Sequence, residues 1–406
     1  MQKIAIIGAG AAGCFAAANI PFYKQREVVI FEKTSKALQK VKVSGGGRCN
    51  TTHACFDIPE LVGNYPRGKN FLKKTLYRFS PQDTIDWFEI RGVLLKAEGD
   101  GRMFPDTDDS QTIIDAIWQE MMQRQVQVRY NKSLQRIEQS DEKLILHFVD
   151  GTTYDADKVM IACGGFPKVD QYAWLKSLGH TISEPAPSLF TFNLPKHPIT
   201  ALMGVAVPQV SLKILGTKIT EHNRPLLITH WGLSGPCVLR TSAWAARELQ
   251  QRNYDFSIHI NWLNDVSEQD LREHIVSLRQ ESGKMLVHHK NPFNLPKRLW
   301  EYFMEQSGIS ETVRWGDLPA AAQNKLIKHL VADEYAVKGK TTFKEEFVTC
   351  GGITLSEVDA QTMQSKLVSN LYFGGEILDV DGITGGFNFQ HAWSSGYIAA
   401  ESMIGN

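Results

Sequence analysis

The opening of the chain alternates apolar runs with a glycine-rich turn, in an order that predicts strand, turn, helix and strand. Residues 3–7 are a short apolar run typical of a buried parallel strand. An alanine-rich helix is predicted over 11–19, and a second strand over 27–31 closes on Glu32. Residues 4–20 also imitate a secretory signal peptide, but three glycines in phase favour the strand–turn–helix interpretation.

Helical and strand periods alternate through the next hundred residues. Residues 70–90 and 110–125 have helical spacing, with Ser80-Pro81 and Asp109-Ser110 as helix starts. Short strands are predicted at Val126–Tyr130, Leu134–Glu138, Leu144–Val149, Thr152–Tyr154 and Lys158–Ala162.

The composition of the chain changes near Pro185, and strands followed by glycine turns return from about residue 341. We predict an N-terminal part of one domain over 1–190, an inserted β-rich domain over 191–265, a helical subdomain over 266–340, and the C-terminal part of the first domain over 341–406. A single irregular α+β domain in the middle of the chain is an alternative that the pattern leaves open.

The first turn has the spacing G-x-G-x-x-G of a dinucleotide site. Gly8 allows the tight turn, Gly10 lets the backbone approach a pyrophosphate, and Gly13 lets the helix lie close to the sheet. Free N–H groups at the helix start meet the phosphate charge. Glu32 follows Gly13 by 19 residues and is placed to accept hydrogen bonds from a ribose hydroxyl.

Glycine-rich turns recur at both ends of the chain. Three consecutive glycines within Ser44–Asn50 favour a ligand-facing turn over a flexible loop. Near the C-terminus, Gly375 follows a predicted strand and Gly386 directly precedes a predicted helix. A nicotinamide-only dehydrogenase usually completes its site within one contiguous domain, so the split pattern predicts an extended FAD. No second G-x-G-x-x-G is present, which argues against a permanent NAD(P)H-binding domain. NADH or NADPH is therefore expected at most as a transient electron donor.

Composition narrows the class of protein. Lysine plus arginine and aspartate plus glutamate both number 44, and this zero net charge argues against an extended nucleic-acid groove. Six cysteines without a C-x-x-C pair are typical of a reducing compartment. No segment after residues 4–20 has the apolar length to span a bilayer. The histidine pair His288-His289 lacks the ligand spacing of a metal site. We therefore expect a cytoplasmic protein with a small-molecule substrate, no metal, no membrane and no nucleic acid.

Four motifs in order resemble one known family: Ser44–Asn50, Gly101–Pro105, Thr229–Pro236 and Gly375–Gly382. They look like the YhiN-like flavoproteins, also called the BaiN/RdsA or aminoacetone-oxidase family of NAD(P)/FAD-dependent oxidoreductases. The resemblance runs from about residue 3 to 402. It implies an FAD domain of the glutathione-reductase superfamily, an inserted β-barrel-like domain and a helical domain.

The resemblance also implies which residues hold FAD. Its positions match Gly8, Gly10, Gly13, Glu32, Lys40, Gly46, Arg48, Asp381, Thr384, Gly386, Phe387 and Asn388. The glycine pattern adds the neighbouring Ala11, Ala12, Lys33, Ser44, Gly45, Gly47, Cys49, Asn50, Gly164, Gly375, Glu376 and Gly385. Lys40 and Asp381 rest mainly on the resemblance.

Two histidines are the candidate catalytic residues. His391, early in the C-terminal helix, stands where relatives carry an apolar or aromatic residue, and its imidazole could relay protons. A hydrogen-bonded packing histidine is the alternative. His230 opens a segment that could project over the flavin, although Ser234-Gly235-Pro236 is also explained simply as a helix start. Cys49 is either a redox thiol or a buried one.

The resulting hypothesis is an FAD-dependent oxidoreductase that exchanges hydride between flavin and a small or medium organic substrate. The resemblance implies reduction of unsaturated ketones with NAD(P)H, or oxidation of small amines. Two alternatives are a non-catalytic flavin-binding or redox-sensing protein, and an RNA-modifying flavoenzyme, which the zero net charge disfavours.

Overall fold

The computed structural model describes residues 1–140, 143–341 and 348–405. The chain divides into two compact units. Unit 1 comprises Met1–Ser188 with Lys344–Asn406, and unit 2 comprises Leu189–Phe343. Both glycine-rich ends of the chain therefore fall within unit 1.

Strands occur along the whole chain, in both units. In chain order they are β1 (Gln2–Ile7), β2 (Arg26–Phe31), β3 (Thr52–His53), β4 (Leu95–Ala97), β5 (Arg102–Pro105), β6 (Gln127–Arg129), β7 (Leu134–Gln139), β8 (Leu144–Phe148), β9 (Thr153–Ala156), β10 (Lys158–Ile161), β11 (Ile182–Ser188), β12 (Thr191–Asn193), β13 (Ala206–Ile214), β14 (Thr220–Thr229), β15 (Gly232–Ser234), β16 (Asp255–Asn261), β17 (Asp333–Lys338), β18 (Lys340–Thr341), β19 (Val348–Ile353) and β20 (Leu371–Phe373).

The helices are α1 (Ala11–Asn19), α2 (Gln39–Gly47), α3 (Ile58–Val62), α4 (Lys69–Leu76), α5 (Pro81–Glu89), α6 (Ser110–Gln123), α7 (Ala173–Lys176), α8 (Pro236–Trp244), α9 (Ala246–Gln251), α10 (Glu268–Glu281), α11 (Lys297–Ser307), α12 (Ala320–Val331) and α13 (Phe387–Ile404). None of these described helices has both the length and the apolar character needed to cross a membrane.

Unit 1 is built on a five-stranded parallel sheet in the order β20-β10-β1-β2-β6. Ile7 is level with Phe31 on one side and with Ile161 on the other, and Ile161 is level with Phe373. The carboxyl ends of four strands therefore lie along one edge, where open parallel sheets bind their ligands. The predicted strand–turn–helix–strand order and the α/β fold with a Rossmann-type domain are confirmed.

Small residues let the first and last helices of unit 1 approach closely. A Cβ built on Gly396 of α13 would lie 2.6 Å from the Ala12 carbonyl oxygen of α1. Ala16, Ala17 and Ala18 of α1 are fully buried. Because backbone approaches backbone here, helices from the two ends of the chain pack side by side on the sheet.

Unit 2 holds a seven-stranded sheet in the order β17-β16-β13-β14-β15-β12-β18. Its two outermost strands, β17 and β18, are separated in the chain only by Gly339. The Gly339 N–H donates to the Tyr254 carbonyl at 2.8 Å, and its carbonyl accepts from Asn193 N–H at 3.2 Å. The sheet therefore curls until its edges meet at Gly339, which gives the barrel-like shape that the resemblance implies.

One hydrophobic core joins the strands of unit 2 to its helices. Ile258 and Trp262 from the sheet side pack in the same cluster as Phe303 of α11 and Leu326 of α12. Helices α8 and α9 lie within the stretch predicted to be β-rich, and α8 begins at the predicted Gly235-Pro236 helix start. A division of this unit at residue 265 stays a prediction.

Candidate active site

The glycine turn between β1 and α1 contains glycines of two kinds. At Gly8, φ is +108° and a Cβ would lie 2.5 Å from the Ala162 carbonyl oxygen; at Gly13 a Cβ would lie 2.1 Å from the Gly8 carbonyl oxygen. The protein itself therefore requires both glycines. Gly10 has φ −89°, and its Cβ would lie 4.0 Å from Ala162 O, so neither backbone nor packing requires glycine there. The half-exposed space beside Gly10 is open for a ligand at the start of α1.

Glu32 lies beside this turn at the end of β2. Its Oε2 accepts a hydrogen bond from Ala9 N–H at 2.9 Å, and its Oε1 accepts from Thr34 N–H at 2.9 Å. The side chain is half-buried at the sheet edge. A carboxylate held against the turn in this way suits hydrogen bonds from ribose hydroxyls.

The second glycine turn, at the end of α2, is left-handed throughout. The φ angles of Gly45, Gly46 and Gly47 are +58°, +69° and +88°. A Cβ on Gly46 or Gly47 would meet nothing within 4 Å. Ser44 closes the helix by donating from Oγ to the Val41 carbonyl at 3.0 Å. The turn thus presents bare backbone to open space, as a ligand-facing turn does.

Arg48 and Cys49 after this turn have structural partners. Arg48 Nη1 is 2.7 Å from Glu98 and 3.4 Å from Asp108, and its guanidinium lies 4.0 Å from the centroid of the Phe104 ring. Cys49 is buried, and burial raises the pKa of its thiol to about 11. A thiol that stays protonated at neutral pH is a poor redox group, which favours the buried-thiol alternative.

Residues from the two ends of the chain meet next to the start of α13. With its amide oriented to satisfy both partners, Asn50 accepts from Gly386 N–H at 3.0 Å. His53 Nδ1 is 2.9 Å from the Gly385 carbonyl oxygen, and its ring stacks on Phe387 with centroids 4.5 Å apart. Sequence analysis missed His53, because nothing in the sequence signals a contact across 332 residues.

The end of β20 is tied to α2 through a carboxylate. Lys40 Nζ lies 2.8 Å from Glu376 Oε2, and Glu376 Oε1 accepts from Thr349 N–H at 2.6 Å. Gly164 follows β10 with φ +76°, and a Cβ there would lie 3.8 Å from the same Glu376 carboxylate. Lys33 Nζ lies 5.7 Å from the Phe166 ring centroid. These predicted residues therefore share the carboxyl edge of the sheet.

Asp381 is fully buried in an ion pair. Arg67 Nε donates to Asp381 Oδ1 at 2.5 Å and its Nη2 to Oδ2, while Ser188 Oγ donates to Oδ2 at 2.8 Å. Burial raises the pKa of Asp381, an effect that Arg67 and Ser188 oppose. Arg67, which no sequence motif marks, thus fixes the loop before α13.

The loop from Asp381 to α13 is closed by a side chain of the helix itself. Asn388 accepts from Gly382 N–H at 2.8 Å and donates to the Gly382 carbonyl at 2.9 Å. Thr384, inside this loop, is half-exposed. The loop therefore holds Thr384 and Gly385 at the helix start.

The two candidate catalytic histidines lie in different units. His391 is buried, with Nε2 3.2 Å from the Gly375 carbonyl oxygen and Nδ1 without a hydrogen-bond partner among the described residues. Burial lowers the pKa of His391 to about 4, so the imidazole is neutral at neutral pH. His230 is an exposed residue between β14 and β15 of unit 2, with its ring edge-on to Trp231.

The model of the HI0933-like protein Rossmann-domain family matches residues 2–402. The chain belongs to this family. It is 32% identical to the ribosomal RNA dihydrouridine synthase of Escherichia coli (98% of this chain, 97% of that protein), and 30% identical to the Haemophilus influenzae protein of that name (98% and 97%). It is 27% identical to the 3-dehydro-bile acid delta(4,6)-reductase of Clostridium scindens, over 99% of both chains.

Members of this family are FAD-dependent oxidoreductases, and this chain is one of them. The residues of unit 1 fit FAD: Gly10 leaves open space at the start of α1, and Glu32 offers a carboxylate beside it. The turn at Gly46 and Gly47 is bare on its open side. The predictions of the family, the cofactor and the reaction class are confirmed.

Proposed function

We propose that the protein reduces a carbon–carbon double bond that is conjugated to a carbonyl group. The observation that carries this proposal is full-length similarity to proteins whose names describe such reductions. A delta(4,6)-reductase saturates a double bond of an unsaturated steroid-like ring. A dihydrouridine synthase saturates the C5–C6 bond of uracil, which is conjugated to the C4 carbonyl. In both, hydride adds to the β carbon and a proton to the α carbon.

The protein's own part is binding, orientation and proton supply. Reduced FAD, when bound, supplies the hydride, and we propose NADH or NADPH as its reductant. The backbone at Gly8, Gly10 and Gly13 and the carboxylate of Glu32 would hold the dinucleotide. Neutral, enclosed His391 can donate its Nε2–H to the Gly375 carbonyl, and without the imidazolium proton it is a poor general acid at neutral pH. His230, the other candidate acid predicted from the sequence, is exposed.

Uridine in ribosomal RNA is the substrate that we place first. The two dihydrouridine synthases share a larger fraction of identical residues with this chain, 32% and 30%, than the steroid reductase does, at 27%. The zero net charge of the chain also conceals an asymmetry. Residues 189–343 contain 18 lysines and arginines against 14 aspartates and glutamates, and the remainder contains 26 against 30. A net positive unit 2 favours a phosphate-rich substrate. A small conjugated dienone is the second candidate.

Separate reactions with the two candidate substrates test this proposal. The holoprotein is reduced anaerobically with NADPH or NADH and mixed either with ribosomal RNA from cells that lack the gene or with a steroid dienone. Mass spectrometry then looks for the gain of two hydrogens. Reduced uridine supports the first candidate and reduced dienone the second. If neither gains hydrogen while the flavin is fully reduced, double-bond reduction is refuted.

A further inference from the structure

A cavity of about 840 Å³ opens in unit 1, and none of its lining residues belongs to the predicted cofactor set. One wall is the start of α4, and the other is the hairpin formed by residues 355–366. This volume lies within the range of small-molecule sites in proteins. The cavity therefore needs an explanation of its own.

The lining is cationic. Lys69 and Lys74 from α4 and Lys366 from the hairpin, all three exposed, line it together with Asp359, the single carboxylate among the lining residues. Within the part of the chain that the structure describes, neither Lys74 nor Lys366 forms an ion pair. Lys366 Nζ donates to the Ser356 carbonyl at 2.8 Å, which anchors its charge on the cavity wall. Lys74 and Lys366 together outnumber the single lining carboxylate, Asp359, so the wall keeps a net positive charge for an anion to neutralise.

The helix adds to this field. The first three residues of α4, Lys69 to Phe71, line the cavity, so the positive end of the helix dipole is directed at it. Gly68 at the helix cap has φ +86°, and a Cβ there would lie 2.7 Å from the Val380 side chain, so the backbone and packing require this glycine. The dipole strengthens the attraction for an anion that the lysines already provide.

A buried hydrogen-bond chain holds the hairpin wall in place. His180 Nδ1 is 3.0 Å from Glu357 Oε2, and His180 Nε2 is 3.0 Å from Ser365 Oγ. Ser365 Oγ also accepts from the N–H groups of Leu367 and Val368. Both lone pairs of this oxygen are thus in use, so the Ser–His–Glu arrangement is structural and not a nucleophile. The wall is fixed before any ligand arrives.

We propose that this cavity binds the phosphate groups of a nucleotide, held by Lys74 and Lys366 with Lys69 beside them. Lysine is a common point-charge partner for phosphate. The phosphate has two chemical sources, a free nucleotide or the backbone of a single-stranded RNA, and they differ only in what is attached to it. This inference does not depend on which substrate the flavin reduces.

The test is calorimetric titration of the FAD-loaded protein with ADP and, separately, with a short oligouridylate. Loading with FAD keeps ADP out of the dinucleotide site. We expect Lys74→Glu and Lys366→Glu each to weaken binding about tenfold or more, as loss of a charge-assisted contact does. Lys73→Glu is the matched control, because Lys73 is exposed on the same helix but does not line the cavity. It should change affinity by less than about threefold.

The probe that binds identifies the chemical source of the phosphate. ADP binding with this mutational pattern supports a free nucleotide, and oligouridylate binding alone supports an RNA backbone. FAD content and the flavin spectrum should stay at wild-type values in every variant, which shows that the fold and the cofactor site are intact. If neither probe binds at millimolar concentration, or if Lys73→Glu weakens binding as much as Lys74→Glu, the proposal is overturned.

Discussion

Replacing Gly10 by alanine isolates the contribution of the open space at the start of α1. A Cβ there would lie 4.0 Å from its nearest protein atom, Ala162 O, and φ is −89°, so the apoprotein can accept it. The cost to folding should be about 1 kcal/mol or less, the loss from placing alanine at a helix cap. With FAD bound, the methyl group competes with the pyrophosphate for the same space. Overpacking of that kind costs about 1–3 kcal/mol.

A loss of this size raises the Kd for FAD roughly five- to 150-fold. The assay is fluorescence titration of the apoprotein with FAD, with thermal unfolding of the apoprotein alongside. Gly13→Ala is the contrasting variant, since its Cβ would lie 2.1 Å from Gly8 O and the apoprotein should lose roughly 3 kcal/mol or more. Gly99→Ala, which meets nothing within 4 Å, should change neither quantity.

The refuting results are specific. If Gly10→Ala binds FAD as tightly as the wild type, the space beside Gly10 is not where the pyrophosphate lies. If the variant unfolds as readily as Gly13→Ala, glycine is needed there for packing and not for the ligand.

Three further perturbations test other parts of the site. Glu32→Gln should weaken FAD binding about ten- to a hundredfold, the effect of losing a charged hydrogen-bond acceptor, and unchanged affinity in the same titration would show that the carboxylate faces elsewhere. Asp381→Ala should cost about 3–5 kcal/mol in urea unfolding because it removes the carboxylate from a buried ion pair with Arg67. Removal of the half-exposed Glu401 from its ion pair should cost about 1 kcal/mol or less, and equal losses would contradict the expected difference between a buried and an exposed pair. Because the pKa of His391 is about 4 when folded and is ordinary when unfolded, its contribution to stability is present above about pH 6.5 and falls as pH drops toward 4; between about pH 7 and 5 the wild type should lose about 2 kcal/mol more than His391→Gln, and parallel pH profiles would contradict this.

Local patterns made much of the dinucleotide site predictable. From β1 to Glu32 the elements follow one another directly along the chain, and the spacing of the glycines specifies the turn between β1 and α1. The contacts between the two ends of the chain were not predictable, because Arg67 and Asp381 or His53 and Gly385 are hundreds of residues apart. Their pairing depends on where the whole chain places α13.

The protonation states and charge partners of side chains were equally unpredictable from the sequence. His391 was chosen as a titratable group, but its charge depends on burial, which keeps the imidazole neutral down to about pH 4. Likewise, Lys40 and Asp381 could be selected only by resemblance, since their partners Glu376 and Arg67 become neighbours only in the folded chain.

The most direct test of the central claim is the anaerobic reoxidation of the reduced flavin in the purified protein. The visible flavin bands are bleached with NADPH or NADH, excess donor is removed, and ribosomal RNA or a conjugated dienone is added without oxygen. The account predicts that the flavin bands return with one of these substrates, at a rate that depends on its concentration. Bands that stay bleached with both, or a purified protein that takes up no FAD, would contradict it.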